Sequence, residues 1–327
     1  MKSRPHLIWK LINTGFLVLG SSWVIYLFIQ SISKEGASRF VPESWTWLIF
    51  STGLIISSLL LNTVNFHQFL SSAVAQHISI TTSLKLHIVG QVVRYLPGRF
   101  WGLLYQISSC RTILPAAAIT RANIDLMLLA LFGNLAVAAI ILGVFQSIPF
   151  WLALLILVPM GIVLFFPYKD YPIKFFKLFV IRSPFVPQRV KKFVLALTGS
   201  RLKFNQAASI VTIFIISWIF YLLGWSCLGY VFPILCNTNL MVLCAWYTIA
   251  WMIGFAAALT PAGLGVREVI FIFMADQGVG SDTLSFVAIF ARLWLMAADL
   301  IILLPLVPLL IQPQHPKKNE NEETTSI

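Results

Sequence analysis

Charged side chains are scarce in this sequence. Asp, Glu, Lys and Arg together make up 10% of its 327 residues, whereas an ordinary soluble domain carries about 25%. Long apolar runs recur along the chain, and a run of roughly 20 apolar residues is enough to cross a bilayer as a helix. The scarcity of charge therefore excludes an ordinary soluble enzyme and predicts an all-α polytopic membrane protein.

Acidic residues are the rarer charged class, with 11 Asp and Glu against 23 Lys and Arg and a formal net charge of +12. The bases cluster in a few loops, as is typical of the cytoplasmic side of a membrane protein, so the charge does not indicate a nucleic-acid partner. The largest cluster is 168–206, where Asp170 is the one acid and Phe and Val alternate with Lys and Arg. This segment predicts either contact with an anionic cytoplasmic leaflet or an ordinary positive-inside loop.

Cysteine is also rare, and catalytic motifs are missing. The 4 cysteines lie in or beside apolar runs without metal-like pairing, which favours small buried hydrophobes over a disulfide framework. The sequence has no nucleophile elbow and no phosphate-binding P-loop. His67, His77 and His87 do not share a helix face, and they lie in a polar stretch, 67–87, that we expect at the surface. We therefore predict no enzyme activity, no metal and no cofactor.

About seven apolar spans are predicted, together with two broken segments. The spans are 7–32, 45–66, 122–145, 151–166, 207–231, 240–259 and 284–311. We expect one membrane domain over 1–311, made of two related halves at about 1–167 and 207–311. The basic segment 168–206 joins the halves, and a disordered polar tail is expected at 312–327.

Two segments combine apolar sequence with residues that interrupt a membrane helix. In 88–107 the interruption consists of Arg94, Tyr95, Pro97, Gly98 and Arg99. In 261–274 it consists of Pro261, Gly263, Gly265, Arg267 and Glu268. Proline removes a backbone donor and glycine permits unusual backbone angles, so the freed backbone groups need shelter from protein or water. Paired interruptions in two halves predict re-entrant elements around a transporter's central site, although the sequence leaves open whether 261–274 crosses fully.

The charges beside the second interruption suggest an anion site. Arg267 and Glu268 are neighbours that point about 100° apart on a helix, so Glu268 is expected to neutralise another base, such as Arg292. Arg267 then remains for an anion, and its planar guanidinium suits a phosphate. Backbone N–H groups at the start of a half-helix would add to this site. The alternative is a structural ion pair that locks the break.

A further Arg and Asp follow each broken segment: Arg121 and Asp125 in the first half, Arg292 and Asp299 in the second. Arg292 and Asp299 are separated by about 10 Å along a helix, so each needs a partner from another element. The arginines of the first broken segment are the natural candidates. For these arginines and for Arg121, the alternative is a side chain that snorkels toward lipid headgroups.

Several motifs resemble those of one known family. Residues 261–268 resemble the Pro-Gly-Gly-(Ile/Leu)-Gly-Val-Arg-Glu signature of the lysylphosphatidylglycerol synthase transmembrane-region family, the flippase-like proteins. Residues 95–99 resemble its first-half Pro-Gly motif, 121–125 occupy the place of its Glu-Arg-x-x-Asp-like helix start, and 291–293 resemble its terminal Arg-Leu motif. Ala262 replaces the middle glycine of the signature, and the acidic residue of the helix start is absent.

The resemblance implies a multi-pass protein of the bacterial cytoplasmic membrane that moves an anionic lipid between leaflets. A phospholipid or a lipid-linked glycan of envelope biogenesis would be the cargo, with envelope-synthesis proteins or further copies of the chain as partners. Synthase members carry an aminoacyltransferase domain after this region. The sequence ends at Ile327 without one, so a stand-alone member without synthase activity is expected. The alternatives are a membrane-embedded glycosyl or lipid-headgroup transferase and an accessory subunit of such a system.

Overall fold

A computed structural model describes most of the two predicted halves. The described residues are 29, 33, 41–74, 77–93, 101–110, 114–145, 147–149, 151–155, 157, 202–256, 265–275 and 279–308. The predicted span 7–32, most of the basic segment 168–206 and the tail 312–327 lie outside these residues, so those predictions stay predictions.

The regular structure within the described residues is entirely helical, which confirms the predicted all-α class. Eight α-helices are described: α1 Trp45–Ala73, α2 Ile80–Val93, α3 Trp101–Ser109, α4 Ala116–Val144, α5 Phe204–Cys227, α6 Leu240–Ala256, α7 Val266–Ala275 and α8 Ser281–Leu303. Short 3-10 turns follow α5 at Leu228–Tyr230 and Pro233–Leu235, and one follows α8 at Leu304–Leu306.

Helix boundaries follow local sequence signals. Proline precedes α4 at Pro115, where no helical hydrogen bond is lost. At the start of α5, the backbone N–H of Lys203 donates to the Gln206 side chain at 3.0 Å, which caps the helix. Gly280 precedes α8, and its carbonyl oxygen accepts the Leu284 N–H at 3.2 Å. The long helices between these signals contain neither proline nor a charged run.

Four helices are long and apolar enough to cross a membrane: α1, α4, α5 with its following turn, and α8. Helix α6 is apolar but shorter, at 17 residues. Helices α2, α3 and α7 have 14, 9 and 10 residues and reach about 14–21 Å, well short of the roughly 30 Å hydrocarbon core. The described part is therefore a multi-pass bundle that mixes full spans with short helices.

The outer faces of the long helices are apolar. Large hydrophobic side chains such as Ile49 on α1, Ile219 on α5 and Leu300 on α8 are exposed. Such a surface would promote association in water, but acyl chains cover it without cost. Packing inside the bundle and lipid outside together account for the hydrophobic composition.

The stretch 67–87 is exposed at His77 and at 79–81, as its polarity predicted, but the surface prediction is wrong for the helical parts on either side. Helix α1 continues through it to Ala73, and α2 begins at Ile80. Ser83 and His87 are buried between these helices. Ser83 is hydrogen-bonded to His67 of α1 and His87 to Thr63 of α1, so their burial costs little.

Helices α1 and α5 pack antiparallel along a polar seam. Hydrogen bonds along the seam include Ser51 to the Gly224 carbonyl oxygen at 2.7 Å, Ser58 to Ser217 at 2.9 Å, and Gln68 to Ser209 at 3.1 Å. Residue numbers rise on one helix as they fall on the other. Small polar side chains of this kind join membrane helices because they allow close approach and hydrogen bonding where no hydrophobic driving force operates.

The order of elements occurs twice. Each of α1 and α5 is followed by two short helices packed against each other, α2–α3 and α6–α7, and then by a long helix, α4 and α8. The packing is reciprocal, because α6 packs on α4 while α2 packs on α8. Since α1 and α5 run antiparallel, the two units have inverted topology, and their short-helix pairs enter the bundle from opposite ends.

Candidate functional site

The second short-helix pair begins its inner helix at the glycine-rich motif. Gly265 has a φ of 80°, an angle that favours glycine, and α7 starts at the next residue. The backbone N–H of Gly265 donates to Glu268 Oε2 at 2.8 Å. Glu268 therefore caps the helix from its third position, as in the reciprocal half of a capping box.

Glu268 also binds α8. Its Oε1 accepts a hydrogen bond from Arg292 Nη1 at 2.6 Å; Glu268 is buried and Arg292 is partly buried. The predicted neutralisation of Arg292 by Glu268 is confirmed. One carboxylate oxygen holds the start of α7 and the other joins α7 to α8. Removing either partner would leave an uncompensated buried charge.

Arg267 is the second residue of α7 and is only 8% exposed. Its guanidinium carbon lies 3.9 Å from the centroid of the Tyr247 ring on α6, a cation–π contact. Within the described residues, Arg267 has no carboxylate partner, and its buried Nε has no hydrogen-bond partner. The site therefore holds a buried cation whose charge no described acid balances.

Close backbone approach positions Arg267. A Cβ added to Gly254 on α6 would lie 3.2 Å from the Cβ of Arg267, so glycine is needed where the two helices cross. The Tyr247 ring is fixed in turn by Phe271 and Trp225, with ring centroids 5.5 Å and 5.2 Å away. This aromatic packing holds the guanidinium in one place at the first turn of α7.

Arg121 and Asp125 form a second buried pair, on α4. Arg121 Nε donates to Asp125 Oδ2 at 2.7 Å, and the arginine side chain is 3% exposed. The alternative in which Arg121 snorkels toward headgroups is therefore wrong. One turn separates the two residues on the helix, so their pairing needs no second element.

The other predicted site residues divide into two groups. Asp299 is buried on α8, and it is not the partner of Arg292, which binds Glu268. Seven predicted residues lie outside the described residues: Arg94, Tyr95, Pro97, Gly98, Arg99, Pro261 and Gly263. The structure thus brings together Gly265, Arg267, Glu268 and Arg292. The meeting of Arg99 with Arg267 stays a prediction.

The helices that flank the first motif pack as closely as those of the second pair. A Cβ on Gly102 of α3 would lie 2.5 Å from the carbonyl oxygen of Gly90 on α2. Gln106 Nε2 donates to the Leu86 carbonyl oxygen at 3.2 Å, and Gln106 Oε1 accepts from Asn123 of α4 at 2.6 Å. Neutral amides therefore join this helix pair to the bundle.

Sequence reasoning missed Tyr247, Gly254 and the buried amides Gln106 and Asn123. Single polar residues and a glycine inside apolar runs were the available signal. That signal does not show which side chains face one another, because partners far apart in sequence decide it.

The comparison with known families gives one result. A family model described as "Lysylphosphatidylglycerol synthase TM region" matches residues 14–303. That range contains both short-helix pairs and all four long helices. No curated protein matches the chain.

Proposed function

This chain belongs to the lysylphosphatidylglycerol synthase transmembrane-region family, and we propose that it moves an anionic lipid headgroup between the leaflets of a bacterial cytoplasmic membrane. The family is named after the membrane region of enzymes whose product is a lipid, which supports a lipid as the ligand. The cargo class is a phospholipid or a lipid-linked glycan with a phosphate in its headgroup.

The observation that carries the proposal is the guanidinium of Arg267, which is buried and has no acid partner among the described residues. A charge near the bilayer centre costs roughly 2.5–3.5 kcal/mol on insertion scales, so such residues usually serve a site or a pathway. Two arginines and one glutamate meet here, Arg267, Arg292 and Glu268, and leave a net charge of +1. A phosphate would balance that charge and match the planar guanidinium.

The position of Arg267 on its helix favours the same ligand. The first N–H groups of a helix have no partner within the helix, and the helix dipole places partial positive charge there. Glu268 accepts the N–H of Gly265, and the N–H groups of the first turn of α7 follow directly after it. The start of α7 and the guanidinium of Arg267 therefore present their hydrogen-bond donors at the same place.

Translocation needs no reacting group, and the described carboxylates support that interpretation. Glu268 and Asp125 are each bound by an arginine, an arrangement suited to holding positions and unsuited to proton transfer from substrate. We accordingly propose no enzymatic step. The runner-up, a membrane-embedded transferase, would need an acid beside the lipid phosphate and would convert a donor lipid to product.

The remaining assignments extend the same proposal. We propose that Arg94 and Arg99 line the pathway from the opposite short-helix pair, and that 168–206 lies on the anionic leaflet. Both follow from charge and from the inverted repeat, since opposed re-entrant elements meet at a transporter's midplane.

The direct test follows a fluorescent phosphatidylglycerol in proteoliposomes that contain the full chain. Dithionite quenching of the outer leaflet reports the rate at which inner-leaflet probe becomes accessible. Arg267→Ala should lower this rate roughly tenfold or more, because a charge-assisted contact is worth about 1.5–3 kcal/mol. Arg267→Lys should retain part of the rate, since it keeps the charge and loses the planar fork.

Glu43→Gln is the matched control, because it removes a charge at an exposed position and should leave the rate unchanged. Equal translocation rates in wild type and Arg267→Ala would show that Arg267 does not bind the headgroup. A wild-type chain that moves no phosphatidylglycerol and no lipid-linked glycan phosphate would favour the transferase or accessory alternative.

A further inference from the structure

Two hydrogen-bonded rungs cross between α1 and α2. Thr63 Oγ1 lies 2.9 Å from His87 Nδ1, and His67 Nδ1 lies 2.9 Å from Ser83 Oγ. On each helix the two members are four residues apart, so the rungs are separated by one turn, about 6 Å. Thr63, Ser83 and His87 are buried, with His87 at 4% exposure.

Further polar side chains lie beyond the two rungs on the same helix pair. At one end the chain between α1 and α2 exposes His77. At the other end Gln91 Nε2 lies 2.9 Å from His87 Nε2, and three residues further is Arg94 of the first motif. We call His67, Ser83, Thr63, His87 and Gln91 the polar file. It leads from an exposed loop into the bundle.

The contacts define one neutral state of His87. Thr63 Oγ1 donates to the Leu59 carbonyl oxygen at 3.1 Å, so it accepts from Nδ1–H of His87. The Gln91 amide nitrogen then donates to Nε2, which carries the lone pair. A proton arriving at Nε2 would meet that amide N–H, and the amide must rotate to present its oxygen.

The surroundings of His87 tolerate the charged ring. The Phe66 ring stacks on it with centroids 4.9 Å apart, and an aromatic face stabilises a cation. The described titratable or charged groups near it are few. Helix α1 contributes His67, α2 itself contributes Lys85, and α3 contributes Tyr105. From α8, which packs on α2, come the buried Asp299 and the Arg292 that Glu268 already neutralises.

We propose that the polar file carries a proton to and from His87, and that proton uptake there accompanies movement of the anionic headgroup. The coupling to headgroup movement rests on the proposed translocation, whereas proton binding at His87 does not. A proton that travels with a headgroup of one negative charge makes the step electroneutral, so the membrane potential does not oppose it.

The proton balance is simple. The proton binds Nε2 of His87 and forms an imidazolium with both nitrogens protonated. Gln91 turns its oxygen toward the new N–H. Release on the other side returns His87 to the Nδ1–H tautomer.

The first test reads proton binding without any transport. Full-length protein with ¹⁵N-labelled histidine is placed in lipid nanodiscs, and the ring nitrogens are followed by NMR between pH 8 and pH 5. The His87 signals are assigned by their loss in His87→Gln. We expect the Nδ1–H tautomer at pH 8 and an imidazolium at pH 5. A His87 ring that stays neutral over this range would overturn the proposal.

The second test measures the rate of fluorescent phosphatidylglycerol translocation at equal pH on both sides of the vesicle. Wild type should accelerate roughly tenfold from pH 7.5 to 5.5, the range over which an imidazole gains its charge. The translocation rate of His87→Gln should not change with pH, and Thr63→Val should weaken the pH dependence of the rate. His315→Gln makes the same change outside the polar file and should keep the full dependence.

The outcomes separate the two proposals. An unchanged pH profile in His87→Gln, or a wild-type rate that is flat or falls with acid, overturns proton coupling while translocation stands. A His87 ring that titrates in a chain that moves no lipid supports proton binding at the file and counts against translocation.

Discussion

The two short-helix pairs share one backbone plan and differ in what occupies the crossing. In the first pair glycine meets glycine, Gly90 against Gly102, and neutral amides join the pair to the bundle. In the second pair Gly254 meets Arg267, and a buried ion pair and aromatic rings surround the crossing. Where the first pair has a glycine at the crossing, Gly102, the second pair has the buried cationic side chain of Arg267.

The difference shows how an inverted repeat can hold an asymmetric site. The backbone crossing sets where the helices meet, and the residue at the crossing sets what that place can bind. Among the described residues, the proposed anion site lies in the second pair, whereas the first pair offers hydrogen bonds and the buried His87. Four stability predictions test this division, from the largest expected effect to the smallest.

Breaking the ion pair should be the most damaging change in the second pair. Glu268→Ala leaves Arg292 buried without its carboxylate and removes the cap on Gly265, so we expect a loss of about 3–5 kcal/mol. Thermal unfolding in detergent, followed by tryptophan fluorescence, measures it. Glu268→Ala combined with Arg292→Met should recover most of the loss. A single variant as stable as wild type would mean that the pair does not hold α7 to α8.

Filling the glycine crossing should be the most damaging change in the first pair. A methyl on Gly102 would lie 2.5 Å from a backbone oxygen, so Gly102→Ala should cost about 1–3 kcal/mol through forced separation of α2 and α3. Gly53→Ala is the control, because nothing lies within 4 Å of the added carbon and alanine favours the helix. Equal melting temperatures for the two variants would show that α2 and α3 do not need this contact.

The neutral amide link should be weaker than the ion pair. Gln106→Leu leaves the Asn123 amide and the Leu86 carbonyl oxygen without their shared partner, and we expect a loss of about 1–3 kcal/mol. Replacing Asn123 by Leu as well should cost less than the sum, since the two positions are coupled. The same unfolding assay gives the coupling energy. If the two losses of stability were additive, the Gln106–Asn123 hydrogen bond would contribute no coupling energy.

Replacing a buried amide outside both helix crossings should change the stability least. Asn65 on α1 is 0% exposed, and neither its nitrogen nor its oxygen has a hydrogen-bond partner among the described residues. Asn65→Leu keeps the volume and removes unsatisfied polar atoms, so stability should stay equal or rise by about 1 kcal/mol. A marked loss of stability would instead show that this amide is engaged in the membrane-embedded protein.

Much of this outcome could be predicted from residue types alone. Apolar runs predicted α1, α4, α5 and α8 because a helix is the one open-ended structure that satisfies its backbone in lipid. Adjacency on one helical turn predicted that Arg267 and Glu268 would diverge, and Glu268 does bind Arg292. The polar stretch 67–87 led to a wrong surface prediction for its helical parts, because serine, threonine and histidine can pair across two helices as readily as they face water.

What the sequence by itself determined is the chemistry: a chain too apolar for water, two interrupted segments, and a few charges too costly in lipid to be incidental. Only the tertiary structure decided which of those charges are cancelled. Helix α8 brings Arg292 to Glu268, and α6 brings an aromatic face and no acid to Arg267. The reason is physical. Periodicity fixes the direction of a side chain on its own helix, whereas neutralisation within 4 Å depends on a partner from a helix far away in the chain.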